Sequence, residues 1–315
     1  KWTLSLSAPL RWTGYTGVGF SRISVNPSLS IIYKLNYAWR FTVHASYKER
    51  YGEMTDLYDR PYQTDYRNSV WNCGILPVYR QQLYSVYGEY KSTAREFFAT
   101  VNLTHNREWY NRIYEQRIEN GQVQRVSLPL SNHGSGYTVK STLSKGFYDL
   151  GLKTSLMALL NISKAEQISG GQRLPYQYRL MRLEPKVIWT PNRHWETSYQ
   201  TDIRYGGSKI GERTRLAPLW NVIQQVQLSY IFSPIEASLS VDHYHNDVNE
   251  DQSVNAVFAD FSVSWKSGRW QITATATNLF DKRTYAYTRY ASLESYTSWV
   301  RIRPREFLVA IRYRL

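Results

Sequence analysis

Trp39-Arg40-Phe41-Thr42-Val43-His44-Ala45-Ser46-Tyr47-Lys48 is the stretch whose reading decides the fold. Trp39, Phe41, Val43, Ala45 and Tyr47 alternate with Arg40, Thr42, His44, Ser46 and Lys48. A period of two sends these two files to opposite faces of an extended strand, and helical spacing does not fit. The apolar file also begins and ends on an aromatic ring. Trp and Tyr have an apolar body and a polar tip, so they suit a boundary between hydrocarbon and water.

The same alternation runs outward in both directions. Trp2, Leu4, Leu6, Ala8 and Leu10 form the first file, and Leu150, Leu152, Thr154, Leu156, Ala158, Leu160 and Ile162 a longer one. Trp195, Tyr199 and Tyr205 share a face, as do Trp270, Ile272, Ala274 and Ala276. Between the files, short links at 91–94, 191–194, 233–234 and 267–268 take turns with long polar stretches. The long ones are 49–78, 112–133, 167–176, 206–219 and 247–253. Short turns on one side and long loops on the other are the schedule of bacterial membrane barrels. Counting strands between the links predicts about fourteen, the last ending at the C-terminus. The expectation is an all-β, antiparallel, up-and-down transmembrane β-barrel with its long loops outside the cell.

Composition supports this and excludes other classes. The chain has 315 residues, 15% of them aromatic, with 27 Tyr and 11 Trp against 10 Phe. No apolar run approaches the roughly 20 residues of a membrane helix. A single cysteine, Cys73, rules out an internal disulfide framework and a cysteine-rich metal site. The formal charge is +14, but the basic residues are scattered through alternating segments and form no single helix or patch. Nucleic acid is therefore not an expected partner. No phosphate-binding loop, zinc spacing or nucleophile elbow occurs, so neither enzyme chemistry nor a cofactor is expected.

The last fifty residues carry a family likeness. Thr277-Asn278-Leu279-Phe280-Asp281-Lys282-Arg283 resembles a segment near the end of the TonB-dependent outer-membrane receptors of Gram-negative bacteria. A Tyr-rich stretch, 285–299, leads into Arg303-Pro304-Arg305-Glu306-Phe307-Leu308, similar to the approach to their last strand. The final residues resemble the terminal barrel signal, with Leu315 where Phe is usual. The resemblance implies a 22-stranded barrel assembled by the barrel-assembly machinery into outer-membrane lipid. It also implies an N-terminal plug through which the TonB complex drives uptake of a scarce siderophore, vitamin, glycan or peptide. No plug-like segment or signal peptide is seen in residues 1–315, so they read as the C-terminal portion of such a barrel. A complete fourteen-stranded diffusion porin is the alternative, and an outer-membrane enzyme a weaker third.

Candidate residues follow from these readings. Tyr58, Tyr62, Tyr66 and Trp71, interleaved with acidic residues in the first long loop, are candidates for a ligand mouth. Arg40, Lys153, Arg182 and Lys186 are candidates for a basic lumen wall, with His44, Lys48, Lys140 and Arg312 on the same side. Phe307, Val309, Ile311, Tyr313 and Leu315 are expected to face lipid. His243 and His245 share a face and could hold a metal with a third ligand, but a polar strand end explains them better.

Overall fold

In a computed structural model of the chain, all residues are described except 17–18, 120–121, 212–213, 249–251, 292–293 and 315, and the side chains of 119, 169, 214–217, 287–291 and 294–296 are also left aside. Fourteen strands form one antiparallel meander among the described residues. They are β1 (Trp2–Ser7), β2 (Ser28–Lys34), β3 (Trp39–Tyr51), β4 (Val78–Ser92), β5 (Phe97–Tyr110), β6 (Asn132–Phe147) and β7 (Leu152–Ser169). Then follow β8 (Gln172–Asn192), β9 (Trp195–Ile210), β10 (Thr214–Phe232), β11 (Ile235–Asp247), β12 (Ser253–Ser267), β13 (Trp270–Thr277) and β14 (Glu306–Tyr313). Each inner strand, β2 to β13, pairs with the one before and the one after it, so nearest neighbours in sequence are nearest neighbours in space.

Register keeps the two faces separate across the whole sheet. Leu103 of β5 lies opposite Val139 of β6, Val139 opposite Leu160 of β7, and Leu160 opposite Met181 of β8. At the C-terminal end Ile272 lies opposite Ile311 and Ala274 opposite Val309. A slip of one residue anywhere would turn an apolar file inward, which is why alternation specifies register so strongly. Aromatic pairs mark the ends of the apolar band. Trp39 and Tyr90 meet at 4.8 Å, Trp195 and Tyr230 at 4.6 Å, and Trp270 and Tyr313 at 4.8 Å, all at the short-turn end. At the other end Tyr205 meets Trp220 at 4.6 Å, and His105 stacks on Tyr137 at 4.3 Å.

Among the described residues β1 and β14 each have one ladder partner, β2 and β13 respectively. Leu4 is 69% exposed and Ile311 65%, against 41% for Leu160 in mid-sheet, because a strand without a second neighbour is bare on that flank. The best-buried side chains are not in this wall. Ile113, Val126 and Ser127 sit in a hairpin of Ile113–Glu119 and Gln122–Leu128, part of a loop layer beyond the long-connection end.

Three expectations need correction. The stretches 167–176 and 206–219 are not long loops: β7 to β10 continue into them as paired strands, whereas 247–253 is a connection as expected, with β11 ending at Asp247 and β12 starting at Ser253. Polar side chains in the first two stretches disguise backbone that is laddered, since strand extensions beyond an apolar band need no apolar file. The first file is also shorter than expected, because β1 stops at Ser7, ahead of Pro9, and a separate hairpin (Leu10–Tyr15, Phe20–Val25) follows. Proline supplies no ladder N–H. Leu150 lies in a 3-10 turn, Tyr148–Leu150, ahead of β7.

Candidate functional site

The polar face and the loop layer above it are the places where a ligand could meet this chain. On the polar face the structure separates the basic candidates into two kinds. Arg40 is neutralised: its Nη2 donates to Glu89 Oε2 at 2.8 Å, and the Tyr87 hydroxyl donates to the same oxygen at 2.8 Å. Arg182 forks onto Asp202, Nε and Nη2 each at 2.9 Å from a carboxylate oxygen, and also pairs with Glu184. Arg204 reaches the same Asp202 at 2.5 Å. Such planar, two-pronged pairing holds the guanidinium firmly in one orientation. Lys153 and Lys186 have no carboxylate partner among the described residues, and neither has Lys140. Ser155 and Lys186 lie opposite each other in the β7–β8 ladder, beside a 230 Å³ cavity that Thr142, Met157, Glu184 and Gln200 also line. His44, Lys48 and Arg312 share this face by register, opposite Ser85, Gln81 and Gln271.

The mouth candidates divide too. Tyr58 and Tyr62 meet edge-on at 6.1 Å, and Trp71 Nε1 donates to Asp59 Oδ1 at 3.2 Å, so these three lie around one acidic loop. Tyr66 stands apart, 79% exposed at the tip of a small hairpin, with the Arg67 guanidinium 5.3 Å from its ring centre. That tip is held by Asp65, whose carboxylate accepts from the Asn68 side chain at 2.7 Å and the Arg67 and Asn68 backbone amides. These bonds, the Asn68 side chain's foremost, lower the Asp65 carboxyl below its ordinary range. Asn68–Trp71 pairs in parallel with Val123 to Val126, which welds the first and second long connections into one layer. Arg112 and Asp56 brace it with a half-buried pair at 3.0 Å. At the inner rim, Glu108 accepts from the hydroxyls of Tyr79 at 3.0 Å and Tyr110 at 2.8 Å.

One constellation has no counterpart in the sequence reading. The segment between β13 and β14 carries a hairpin, Thr284–Ala291 with Glu294–Arg301, and its Tyr285 packs against the polar face. The Tyr285 ring lies 5.2 Å from Tyr244 and 6.4 Å from Phe258, and Asn246 Nδ2 donates to its hydroxyl at 2.6 Å. Ala286 and Ala256 are buried beside it. A signal existed: Tyr244, Ala256 and Phe258 are apolar at positions where the alternation demands polar side chains, and such residues need a cover.

The Asn278–Lys282 segment is a tie. Asn278 Nδ2 donates to the carbonyls of Lys282 at 2.8 Å and Arg303 at 2.9 Å, and its Oδ1 accepts the Lys282 amide at 3.0 Å. Asp281 accepts the Arg305 amide at 2.9 Å and the Arg283 guanidinium at 2.9 Å, bonds that lower its carboxyl below the ordinary range. Asn278 and Asp281 both sit at positive φ, 51° and 50°, which Asn and Asp tolerate better than most residues. The tie fastens the end of β13 to the start of β14.

Phe307, Val309, Ile311 and Tyr313 lie on the apolar face, and Leu315 lies outside the described residues. Of the histidine pair, His245 Nδ1 contacts Asn255 Oδ1 at 2.9 Å, and its Nε2 lies 3.3 Å from Asp247. Among the described residues, no three His, Cys, Asp or Glu side chains gather as a metal site would require.

No protein-family model matches the chain, and no curated protein does either. Solved structures do. The siderophore receptor PiuA of Acinetobacter baumannii superposes with a TM-score of 0.51 at 7% identity, covering 90% of this chain and 49% of PiuA. The ferric preacinetobactin receptor BauA of the same organism gives 0.49 at 8% identity, covering 98% and 55%. The FrpB iron transporter of Neisseria meningitidis gives 0.48 at 9%, covering 85% and 44%. This chain thus spans about half the length of these proteins. Its fold is the antiparallel meander of outer-membrane β-barrels.

Proposed function

We propose that the chain is the C-terminal barrel portion of a bacterial outer-membrane receptor that takes up a scarce ligand with energy from the TonB system, and not an enzyme. The observation that carries this reading is the pair of open edges. In hydrocarbon each unpaired backbone group costs several kcal/mol, so β1 and β14 require neighbours, and further strands of the same barrel would provide them. The match to about half of a siderophore receptor and the Asn278–Lys282 tie support the same reading. The apolar face would meet outer-membrane lipid, the barrel-assembly machinery would insert it, and the unpaired lysines of the polar face would favour an anionic ligand of siderophore, vitamin, glycan or peptide class. A plug encoded upstream would fill the barrel and contact TonB.

The test is uptake in a Gram-negative host lacking its own receptors. Cells producing this chain joined to the coding sequence upstream of Lys1 should gain ligand uptake that collapses when the proton gradient is dissipated. Cells producing residues 1–315 alone should not. Gradient-dependent uptake by residues 1–315 alone would overturn the reading, and steady passive conductance from them would favour a porin.

A further inference from the structure

Register brings three cations into one row on the apolar side of the sheet, just past the band of apolar side chains. Arg107 of β5 lies opposite Ser135 of β6, Ser135 opposite Lys164 of β7, Lys164 opposite Gln177 of β8, and Gln177 opposite Lys209 of β9. Alternate strands lie about 10 Å apart, so the three charges are spaced evenly across five strands. A cavity of 660 Å³ opens along this row, with Trp109 and His133 at its upper side. One pleat below runs the aromatic rim of His105 stacked on Tyr137, and beneath that Leu103, Val139, Leu160 and Met181.

The charges are uncommitted. Arg107 donates to His105 Nε2 at 3.3 Å and meets no carboxylate among the described residues, and Lys164 and Lys209 meet none either. Two carboxylates do line the cavity, but both are engaged. Glu166 pairs with Arg173, and Glu108 takes the Tyr79, Gln81 and Tyr110 donors.

We infer that this row binds the phosphorylated headgroup of a glycolipid in the outer leaflet. Its acyl chains would lie down the apolar files below the aromatic rim, and its phosphates would meet Arg107, Lys164 and Lys209. A soluble anion would gain the charges but not the contiguous apolar surface, whereas a phospholipid-like amphiphile gains both. The inference rests on the membrane placement proposed above.

The full chain in phosphatidylcholine vesicles, with a minor fraction of bis-phosphorylated lipid A, lipid A stripped of phosphate, or neither but inorganic phosphate in the buffer, tests it. The protein should float with all three vesicle types and retain lipid A through detergent extraction only when it is phosphorylated. Combining Arg107→Gln, Lys164→Gln and Lys209→Gln should weaken retention on the order of a hundredfold, as three charges lost near an anionic surface imply. The pair Lys164→Arg and Lys209→Arg should preserve it, and so should Lys140→Gln with Lys153→Gln on the opposite face. Equal retention of stripped lipid A, no loss in the triple variant, or equally tight binding of free phosphate would overturn the proposal. The phosphorylated-against-stripped contrast needs no variant, so a triple variant that fails to fold leaves the test intact. A protein that does not float would defeat the membrane reading itself, whereas one that floats without retaining lipid A defeats only the glycolipid site.

Discussion

Ile311 and Ala310 are adjacent in β14 and opposite in meaning. Ile311 lies across from Ile272 on the apolar face, and Ala310 across from Thr273 on the polar one. An arginine in place of Ile311 should cost about 2–4 kcal/mol if it sits near the bilayer midplane, while Ala310→Arg should cost much less. Refolding into lipid vesicles, followed by heat-modifiable mobility on gels, measures both. Similar losses for the two variants would contradict the sidedness. The same logic explains why Arg40 and Arg182 can sit in the wall: they occupy the polar parity and pair with carboxylates, whereas Lys153 and Lys186, on the same parity, pair with none among the described residues.

At the scale of elements, the tie between β13 and β14 depends on an ionised carboxylate. Asp281 has its carboxyl lowered by the Arg305 amide and the Arg283 side chain, so the folded form prefers the charged state more than the unfolded form does. Its contribution is therefore complete above the ordinary aspartate value of about 3.9 and is lost as pH falls through the lower folded value. Protection of the Arg305 amide from hydrogen exchange should be high near neutral pH and drop in that acidic window. Asp281→Asn should show weak protection at both ends of the range. Unchanged protection in acid would mean that the tie holds without the charge. The hairpin that carries Tyr285 hangs from this junction, so the tie also sets where that ring meets Tyr244 and Phe258.

For the whole molecule the question is closure. Ser5 in β1 and Ala310 in β14 both face the polar side near the middle of their strands. With Cys73 replaced by serine, cysteines at these two positions should not form a disulfide efficiently in refolded protein if, as proposed, further strands of a larger barrel flank the two edges. Efficient crosslinking in a heat-modifiable monomer with steady conductance would mean that the fourteen strands close on themselves. The tall strands β7 to β10, 16 to 21 residues long against the 9–11 or so needed to cross a bilayer, carry the wall well beyond the hydrocarbon and support the loop layer.

The sequence by itself determined the class of fold, the direction each strand's side chains take and the end where the long connections gather. All three follow from a period of two, which is a property of the backbone and needs no distant partner. It could not locate the true outer ends of β7 to β10, because polar strand extensions and polar loops have the same composition. Tertiary structure alone decided that Arg40 and Arg182 are paired while Lys153 and Lys186 are not, since ion pairs form across ladders whose register depends on every turn between them. It decided likewise that Tyr58, Tyr62 and Trp71 gather without Tyr66, and that Arg107, Lys164 and Lys209 form a row. Residues more than a hundred positions apart at its ends become neighbours in that row only because five strands stand side by side.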